Sequence, residues 1–202
     1  MLTITFILQS IIYWPVQGLL RLYGFKVAQH PDWKKVKAQR GKRGLLIVAN
    51  HQSHVDPPAI AATLPFLSAL QPVFYVSLPK DAYKHMSFGF LCGGTLFKMF
   101  GAYAAYKGLG DYEKALIQHI KLLKQGKTVV LFPEGKIHRD FLGEARQGVQ
   151  HLAAITNALI LPVGISGHET DLTMRVGEPV EYTGQSAQEI LELVRPLVTY
   201  AI

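Results

Sequence analysis

Residues 45–62 of the chain read LLIVANHQSHVDPPAIAA, and this stretch decides the fold. Its first five residues, 45–49, are an unbroken apolar run, which is typical of a strand buried on both faces of a parallel sheet. Pro57 suits the first turn of a helix, because that turn leaves its N–H groups without helical partners in any case. We therefore predict a buried strand, a short polar loop and a helix over residues 57–62, with Asp56 as the N-cap.

The same alternation of strands and helices continues along the chain. Apolar runs predict further strands at residues 73–76, 102–106, 128–132 and 159–165. Helical patterns predict further helices at residues 88–100, 111–124 and 145–156. Ser186 and Glu189 have the spacing of a capping box that opens a last helix. This order is typical of an α/β fold in which helices flank a central, largely parallel or mixed sheet, with the chemistry in the loops after the strands.

The composition excludes several classes of protein. Hydrophobic residues make up 49% and charged residues 17% of the 202 residues, which excludes intrinsic disorder and favours one domain with at most a small appendage. The single cysteine, Cys92, excludes a disulfide framework and favours a reducing compartment. Because Cys92 lies in an apolar helical stretch, we expect a packed thiol rather than a reactive one.

The formal net charge of +7 is concentrated near the N-terminus. Residues 1–45 carry eight basic side chains and one acidic side chain, and the rest of the chain is balanced. Residues 1–20, MLTITFILQSIIYWPVQGLL, contain no charged side chain. An apolar helix beside a basic segment suits an anionic membrane surface, where each nearby Lys or Arg contributes on the order of 1 kcal/mol. We predict a membrane-associating segment over residues 1–43, spanning or interfacial, and a domain over residues 44–202 on the cytoplasmic face.

Two polar motifs follow buried strands. In the first, His51 precedes Asp56 by five positions, so the carboxylate could turn back and hold one ring N–H of the imidazole. In the second, residues 132–139 read FPEGKIHR, in which Pro133 ends the strand and Gly135 permits a turn. This turn would present a carboxylate and several cations at the end of the strand. Each motif taken alone also fits an ordinary loop with a capping Asp or solvated charges.

Taken together, the motifs resemble those of the glycerolipid acyltransferase family, whose bacterial type makes phosphatidic acid from 1-acylglycerol 3-phosphate. His51 and Asp56 match the family's H-x4-D pair, and residues 132–135 match its F-P-E-G block. Residues 101–107, GAYAAYK, are similar to the intervening block, and residues 161–164, LPVG, are similar to the late proline block. The four blocks occur in the family's order and extend over about residues 44–167.

The resemblance implies an O-acyltransferase that moves a fatty acyl group from an acyl-CoA or acyl carrier protein thioester to the free hydroxyl of a membrane lysophospholipid. It makes His51 the general base, worth about 10²–10⁴-fold, and Asp56 the residue that orients it, without a metal or a bound cofactor. The residues expected to bind substrate are Lys107, Glu134, Gly135, Lys136, Arg139 and Arg146. Backbone N–H groups near Gly135 are expected to stabilise the oxyanion.

Two departures from the family pattern leave the acceptor open. Lys107 stands where the family usually has Arg, and residues 136–138 replace its usual Thr-Arg-Ser, so that Arg139 is the retained arginine. Lysolipids other than 1-acylglycerol 3-phosphate therefore remain candidate acceptors. A thioester hydrolase, a non-enzymatic protein that binds membranes or nucleic acid, and a buried N-terminal helix are the alternative interpretations. No nucleic-acid-binding motif accompanies the basic segment, so nucleic acid is not an expected partner.

Overall fold

The computed structural model describes residues 2–83, 95–106, 111–167 and 171–200, and a sheet of seven strands lies at the centre of this part of the chain. The strands are β1 (Lys26–Gln29), β2 (Leu45–Ala49), β3 (Val73–Ser77), β4 (Ala102–Ala104), β5 (Thr128–Leu131), β6 (Leu159–Ser166) and β7 (Thr173–Val176). The α-helices are α1 (Leu2–Leu22), α2 (Trp33–Arg40), α3 (Asp56–Thr63), α4 (Thr95–Met99), α5 (Tyr112–Ala115), α6 (Ile117–Lys124), α7 (Gly148–Thr156) and α8 (Ala187–Glu192). Short 3-10 turns cover Lys80–Tyr83 and Arg195–Leu197.

The strand order is β1-β7-β6-β2-β5-β3-β4. β2 lies in the middle and pairs in parallel with β5 and β6, and β3 and β4 continue the parallel part. β7 pairs antiparallel with β6 and parallel with β1, which makes the sheet mixed. The carboxyl ends of β2, β5 and β6 therefore meet at one edge of the sheet, where the loops that follow them form a common surface.

Helices cover both faces of the sheet because its central strands are apolar on both sides. Successive side chains of a strand point to opposite faces, so Leu45, Ile47 and Ala49 of β2 pack in a cluster with α1, α2 and α3. Leu46 and Val48 pack in a second cluster with α6, α7 and α8. All five side chains of β2 are fully buried. The predicted α/β class, with a mixed sheet between helices and an apolar N-terminal helix, is confirmed.

The predicted strands are all present, and their ends differ from the prediction by no more than two residues. The Ser186–Glu189 capping box is also present. The helix expected over residues 111–124 is divided into α5 and α6 at Leu116, whose ψ of 14° departs from helical geometry. Of the helix expected over residues 88–100, α4 is observed, while Cys92 and the other residues before position 95 lie outside the described residues.

The basic segment is partly built into the fold. β1 lies inside the predicted N-terminal segment and pairs with β7, and the division at residue 43 stays a prediction. Arg40 is buried and donates to the carbonyl oxygens of Arg43, Ala69 and Gly126. Three ion pairs join this segment to the domain: Lys26 with Asp171, Lys35 with Glu178, and Arg43 with Glu181. These contacts reduce the cationic surface that could meet a nucleic acid.

His119 on α6 makes folding sensitive to acid. The side chain is fully buried, and burial lowers the pKa of the imidazole to about 4. Its Nε2 lies 3.4 Å from the carbonyl oxygen of Tyr75, and Nδ1 has no hydrogen-bond partner within the described part of the chain. In the unfolded chain the same ring takes up a proton near pH 6.5. As the pH falls between these two values, protonation therefore favours the unfolded chain.

We expect the free energy of unfolding to fall by on the order of 3 kcal/mol between about pH 6.5 and about pH 4 because of this one group. His119→Gln should remove that part of the pH dependence. Urea denaturation of both proteins at several pH values would measure the difference. An equally steep acid loss in the variant would show that groups other than His119 cause it.

Candidate active site

The loop after β2 is held by both neighbouring strands. Asn50 is buried, donates from Nδ2 to the carbonyl oxygen of Ile165 on β6 at 2.8 Å, and accepts from the N–H of Ile165 at 2.8 Å. The N–H of His51 donates to Oε1 of Glu134, which follows β5, at 3.0 Å. The carbonyl oxygen of His51 accepts from the N–H of His138 at 2.8 Å. The backbone of His51 is therefore fixed at the edge where the three central strands end.

His51 and Asp56 form a hydrogen-bonded pair. Nδ1 of His51 lies 2.8 Å from Oδ2 of Asp56, whose side chain is fully buried, while the His51 side chain is 19% exposed. A carboxylate can only accept, so Nδ1 carries the hydrogen and Nε2 is the basic nitrogen. The ring of Phe132 stacks on the imidazole with centroids 4.2 Å apart and planes at 20°. This pair can take up a proton at Nε2 and stabilise the imidazolium that results.

Asp56 is not the N-cap of α3, and that prediction is wrong. Val55 occupies the N-cap position, and the Asp56 carboxylate turns back into the loop. Oδ2 accepts from the N–H groups of Gln52 at 2.7 Å and Ser53 at 2.8 Å, and Oδ1 accepts from Oγ of Ser53 at 2.7 Å. The loop amides and the His51 ring thus satisfy the carboxylate. These four donors fix Asp56, which in turn fixes the orientation of the imidazole.

Glu134 joins the two sequence motifs from inside the protein. It is buried, and while Oε1 accepts from His51, Oε2 accepts from the N–H of Gly143 at 2.8 Å. Burial raises the pKa of the Glu134 carboxyl, and the hydrogen bonds from Gly143 and His51 oppose the rise. Both oxygens face backbone donors, so the side chain holds the His51 loop against the turn after β5. Direct contact between Glu134 and substrate stays a prediction.

Gly135 allows Arg146 to lie across the turn after β5. Its φ is +64°, and a Cβ at this position would come within 2.5 Å of Nε of Arg146. Arg146 donates from its N–H to the carbonyl oxygen of Pro133 at 2.9 Å and from Nε to that of Glu134 at 3.3 Å. The N–H of Gly135 donates to the carbonyl oxygen of Phe132 at 3.1 Å and so closes the turn. Stabilisation of the oxyanion by backbone N–H groups near Gly135 stays a prediction.

A cavity of about 1270 Å³ lies beside the His51 ring. This volume exceeds the 300–1,000 Å³ or so of ordinary small-molecule sites. Most of its walls are apolar, and α1, α3, β3 and β4 all contribute to them. The apolar lining includes Ile12, Val16, Val76, Leu78, Phe97, Phe100 and Leu131. Such a cavity suits a long hydrocarbon chain with one reactive end near the imidazole.

The charged side chains expected to bind ligands lie in different places. Lys136 and Arg146 line the same cavity as His51. Arg139 lines a separate polar cavity of about 310 Å³, together with Arg175. Lys107 lies outside the described residues. Within the ranges that the structure describes, no three His, Cys, Asp or Glu side chains are placed to hold a metal ion.

Sequence reasoning missed three residues that shape the site, namely Asn50, Ser53 and Phe132. Asn50 and Ser53 flank the histidine, and a Ser three residues before an acid is a recognisable signal of a local hydrogen bond. Phe132 stands out in the sequence only as part of the F-P-E-G motif, and its stacking on His51 depends on how β2 and β5 pair. The contacts of Asn50 and Phe132 therefore follow from sheet register, which the local sequence does not contain.

Comparison with known proteins identifies the family. The sequence model described as Acyltransferase matches residues 28–166, which is more than half of the chain. This chain belongs to the acyltransferase family. The resemblance carried by the H-x4-D pair and the F-P-E-G block is thereby confirmed. The matched range contains both catalytic candidates, His51 and Asp56, and the whole turn after β5.

A curated relative of this acyltransferase is the probable 1-acyl-sn-glycerol-3-phosphate acyltransferase of Mycoplasma genitalium. The two proteins are 28% identical over 131 residues, an alignment that covers 62% of this chain and 45% of the relative. The chain thus spans less than half the length of the curated relative that it matches.

A solved structure shares the fold of this acyltransferase. It is the crystal structure of the 1-acyl-sn-glycerophosphate (LPA) acyltransferase PlsC from Thermotoga maritima, with a TM-score of 0.57 and 18% identity. The superposition covers 96% of this chain and 93% of the other. The shared architecture therefore extends beyond the matched family domain to nearly the whole chain.

Proposed function

We propose that this acyltransferase moves a fatty acyl group from an acyl thioester to the free hydroxyl of 1-acylglycerol 3-phosphate, giving phosphatidic acid. The observation that carries the proposal is the His51–Asp56 pair beside a large apolar cavity that two cations also line. The pair supplies a base, the cavity suits fatty chains, and the cations suit a phosphate. The similarity to the probable 1-acyl-sn-glycerol-3-phosphate acyltransferase of Mycoplasma genitalium supports the same reaction class.

In the proposed reaction, Nε2 of His51 takes the proton from the acceptor hydroxyl as its oxygen attacks the carbonyl carbon of the thioester. The new C–O bond produces a tetrahedral oxyanion, and Asp56 stabilises the imidazolium. Collapse of this intermediate breaks the C–S bond, and the imidazolium returns the proton to the departing thiolate. The products are an ester and a free thiol, with His51 neutral again. A thioester is already an activated donor, so no acyl-enzyme is required.

The head group of the acceptor binds near Lys136 and Arg146 in this proposal. Arg146 is held through its N–H and Nε, and its terminal nitrogens have no hydrogen-bond partner among the described residues. A guanidinium oriented in this way can donate two parallel hydrogen bonds to a phosphate. Lys136 adds a second positive charge from the same turn. A phosphate monoester, with its two negative charges, suits this pair of cations better than a neutral head group does.

Arg146→Ala is expected to raise KM for lysophosphatidic acid by about tenfold or more, since a charge-assisted contact is worth about 1.5–3 kcal/mol. KM for the acyl donor and kcat should change less. Steady-state kinetics of this variant, of Lys136→Ala and of a control, Lys124→Ala on the exposed end of α6, would measure the effect. Unchanged KM in both cavity variants would exclude phosphate recognition here. A raised KM for lysophosphatidic acid in Arg139→Ala would instead place phosphate recognition in the smaller cavity.

We propose that α1 holds the protein on the cytoplasmic face of the membrane and lies in the interface. Of the described helices, α1 is long and apolar enough to cross a bilayer. However, Nε2 of Gln9 donates to the carbonyl oxygens of Val73 at 2.7 Å and Phe100 at 2.9 Å, and Gln17 donates to that of Ala62 at 2.6 Å. A spanning orientation would break these bonds and leave two amides in hydrocarbon, which is costly.

The reaction and the acceptor can be tested together. Both acyl-CoA and acyl carrier protein supply the required thioester, so each should be offered, labelled in the acyl chain, with a panel of lysolipids in vesicles. The proposal predicts that lysophosphatidic acid is the preferred acceptor and that phosphatidic acid is the labelled product. Preference for another lysolipid would overturn the assignment of lysophosphatidic acid as the acceptor. Release of labelled fatty acid without any ester would instead indicate a thioester hydrolase.

A further inference from the structure

One side of α1 is a continuous apolar surface. Ile4, Ile7, Ile11 and Trp14 recur at intervals of three or four residues, and all four are exposed, Trp14 by 59% of its surface. The opposite side of the helix carries Gln9 and the other side chains that contact the domain. The exposed side is thus the apolar one, which is the reverse of the usual arrangement for a helix on the surface of a soluble domain.

The loop that joins α3 to β3, residues 64–72, extends this apolar surface. The ring of Phe66 packs against Tyr13 and Trp14 of α1, with centroids 4.7 Å and 5.5 Å away. The hydroxyl of Tyr13 donates to the carbonyl oxygen of Leu64 at 2.8 Å, which ties the helix to the start of the loop. Leu67, the next residue after Phe66, is 58% exposed. Helix and loop therefore present one shared apolar patch to the outside.

Leu67 has an unusual backbone conformation. Its φ is +50°, a region that bulky side chains rarely adopt because it is sterically unfavourable for residues other than glycine. The loop holds it there through bonds of its own, from the N–H of Leu67 to Oε1 of Gln71 at 3.2 Å and from the N–H of Ser68 to the carbonyl oxygen of Pro65 at 3.3 Å. The strain presents an apolar side chain to solvent, where it contributes nothing to the core.

Basic side chains lie on the same side of the sheet as the patch. α1, α2 and α3 pack in one core cluster, so they share this side. Lys34 and Lys37 of α2 are exposed, as is Arg21 at the end of α1, and Lys34 and Lys37 have no ion-pair partner among the described residues. An apolar patch with cations on the same side of the protein is complementary to an anionic bilayer, which offers hydrocarbon beneath negative head groups.

We infer that the α3–β3 loop is a second membrane-inserting element, with Leu67 at its tip entering the boundary between head groups and acyl chains of an anionic bilayer. Two adjoining contacts, α1 and the loop, together fix the orientation of the domain on the membrane as well as its attachment. Ile12, Tyr13 and Val16 of α1 also line the His51 cavity, so this orientation sets that cavity beside the lipid surface. The inference rests on the interfacial position of α1 under the proposed function.

Tryptophan fluorescence can locate each contact separately, because the chain has two tryptophans, Trp14 and Trp33. Trp33→Phe leaves Trp14 as the reporter for α1. Replacing Trp14 and Trp33 with Phe and adding Leu67→Trp makes the loop the reporter. Vesicles of phosphatidylcholine and phosphatidylglycerol with brominated acyl chains should quench and blue-shift both reporters. Quenching of the α1 reporter without any change in the loop reporter would overturn the inference.

Vesicle affinity supplies the second readout. Leu67→Asp should weaken binding to the same vesicles by about tenfold, because it removes a leucine that would enter the bilayer and adds repulsion from the anionic head groups. Ile117→Asp, at an exposed residue on the opposite helical layer, is the matched control and should bind as the wild type does. Leu67→Asn should also bind weakly yet unfold at the same or a higher temperature, because Asn tolerates the positive φ. Unchanged affinity in both Leu67 variants would contradict the loop's role.

The inference and the proposed function fail in different ways. With short-chain acyl-CoA and short-chain lysophosphatidic acid below their micelle concentrations, Leu67→Asp should acylate the acceptor as fast as the wild type. Wild-type activity in this assay combined with normal vesicle binding of the variant would overturn the loop inference alone. Absence of acyl transfer in both proteins would overturn the proposed function. The fluorescence measurements would still show whether the α3–β3 loop inserts into the bilayer.

Discussion

His51→Ala is expected to lower kcat for acyl transfer by about 10²–10⁴-fold, because it removes the base that accepts the proton of the attacking hydroxyl. The surroundings of the imidazole suit that role, since Nδ1 bonds to Asp56, the ring stacks on Phe132, and the backbone is fixed by Glu134 and His138. Those backbone bonds do not need the ring, so the variant should fold. Steady-state rates of ester formation would measure the loss.

The matched control is His30→Ala, which removes an exposed imidazole from the connection between β1 and α2. It should keep the wild-type rate. Thermal unfolding and vesicle binding of both variants would separate loss of chemistry from loss of structure. A His51→Ala protein that folds normally and retains a tenth or more of the wild-type rate would contradict the assignment of this residue as the base.

Asp56 variants should separate the structural role of the carboxylate from its electrostatic role. Asp56→Ala leaves the buried N–H groups of Gln52 and Ser53 without their acceptor, at about 1–3 kcal/mol each, so it should be strongly destabilised. Asp56→Asn can keep its amide oxygen at the Oδ2 position and direct its NH₂ to Oγ of Ser53. It should therefore fold, yet lose about 10²-fold or more in kcat because a neutral amide does not stabilise the imidazolium of His51.

Urea unfolding and kcat measured on both Asp56 variants would test this division. The expected order is a large loss of stability in Asp56→Ala, and a large loss of kcat with a small loss of stability in Asp56→Asn. If Asp56→Asn were as active as the wild type, the negative charge beside His51 would have no part in the reaction. If both variants were equally unstable, the amide would not fit among the loop donors.

The central part of the fold was predictable because its strands are apolar throughout. Every side chain of β2, β5 and β6 is buried, and such runs stand out in a sequence. β1 and β7 were missed because only some of their side chains are buried, so their four-residue segments contain no continuous apolar run. Arg40 in the basic segment was missed for a related reason. It resembles a surface charge in the sequence, but it is buried and bonds to carbonyl oxygens, two of which, those of Ala69 and Gly126, belong to distant loops.

The candidate site was predictable where the partners lie close in sequence. His51 and Asp56 are five residues apart and meet as the spacing indicated. Glu134 instead contacts His51 across 83 positions, so its buried position behind the loop could not be read from the F-P-E-G motif alone. The sequence also favoured an apolar membrane helix, but it could not show that Gln9 reaches across to the backbone of Val73.

The most direct test of the central claim is the rate at which the free thiol is released from an acyl thioester, measured with and without lysophosphatidic acid in the vesicles. Direct attack by an acceptor hydroxyl that His51 deprotonates predicts that thiol release requires the acceptor, equals the amount of phosphatidic acid formed, and is lost in His51→Ala. Thiol release at the same rate without any acceptor, or undiminished release in His51→Ala, would contradict it.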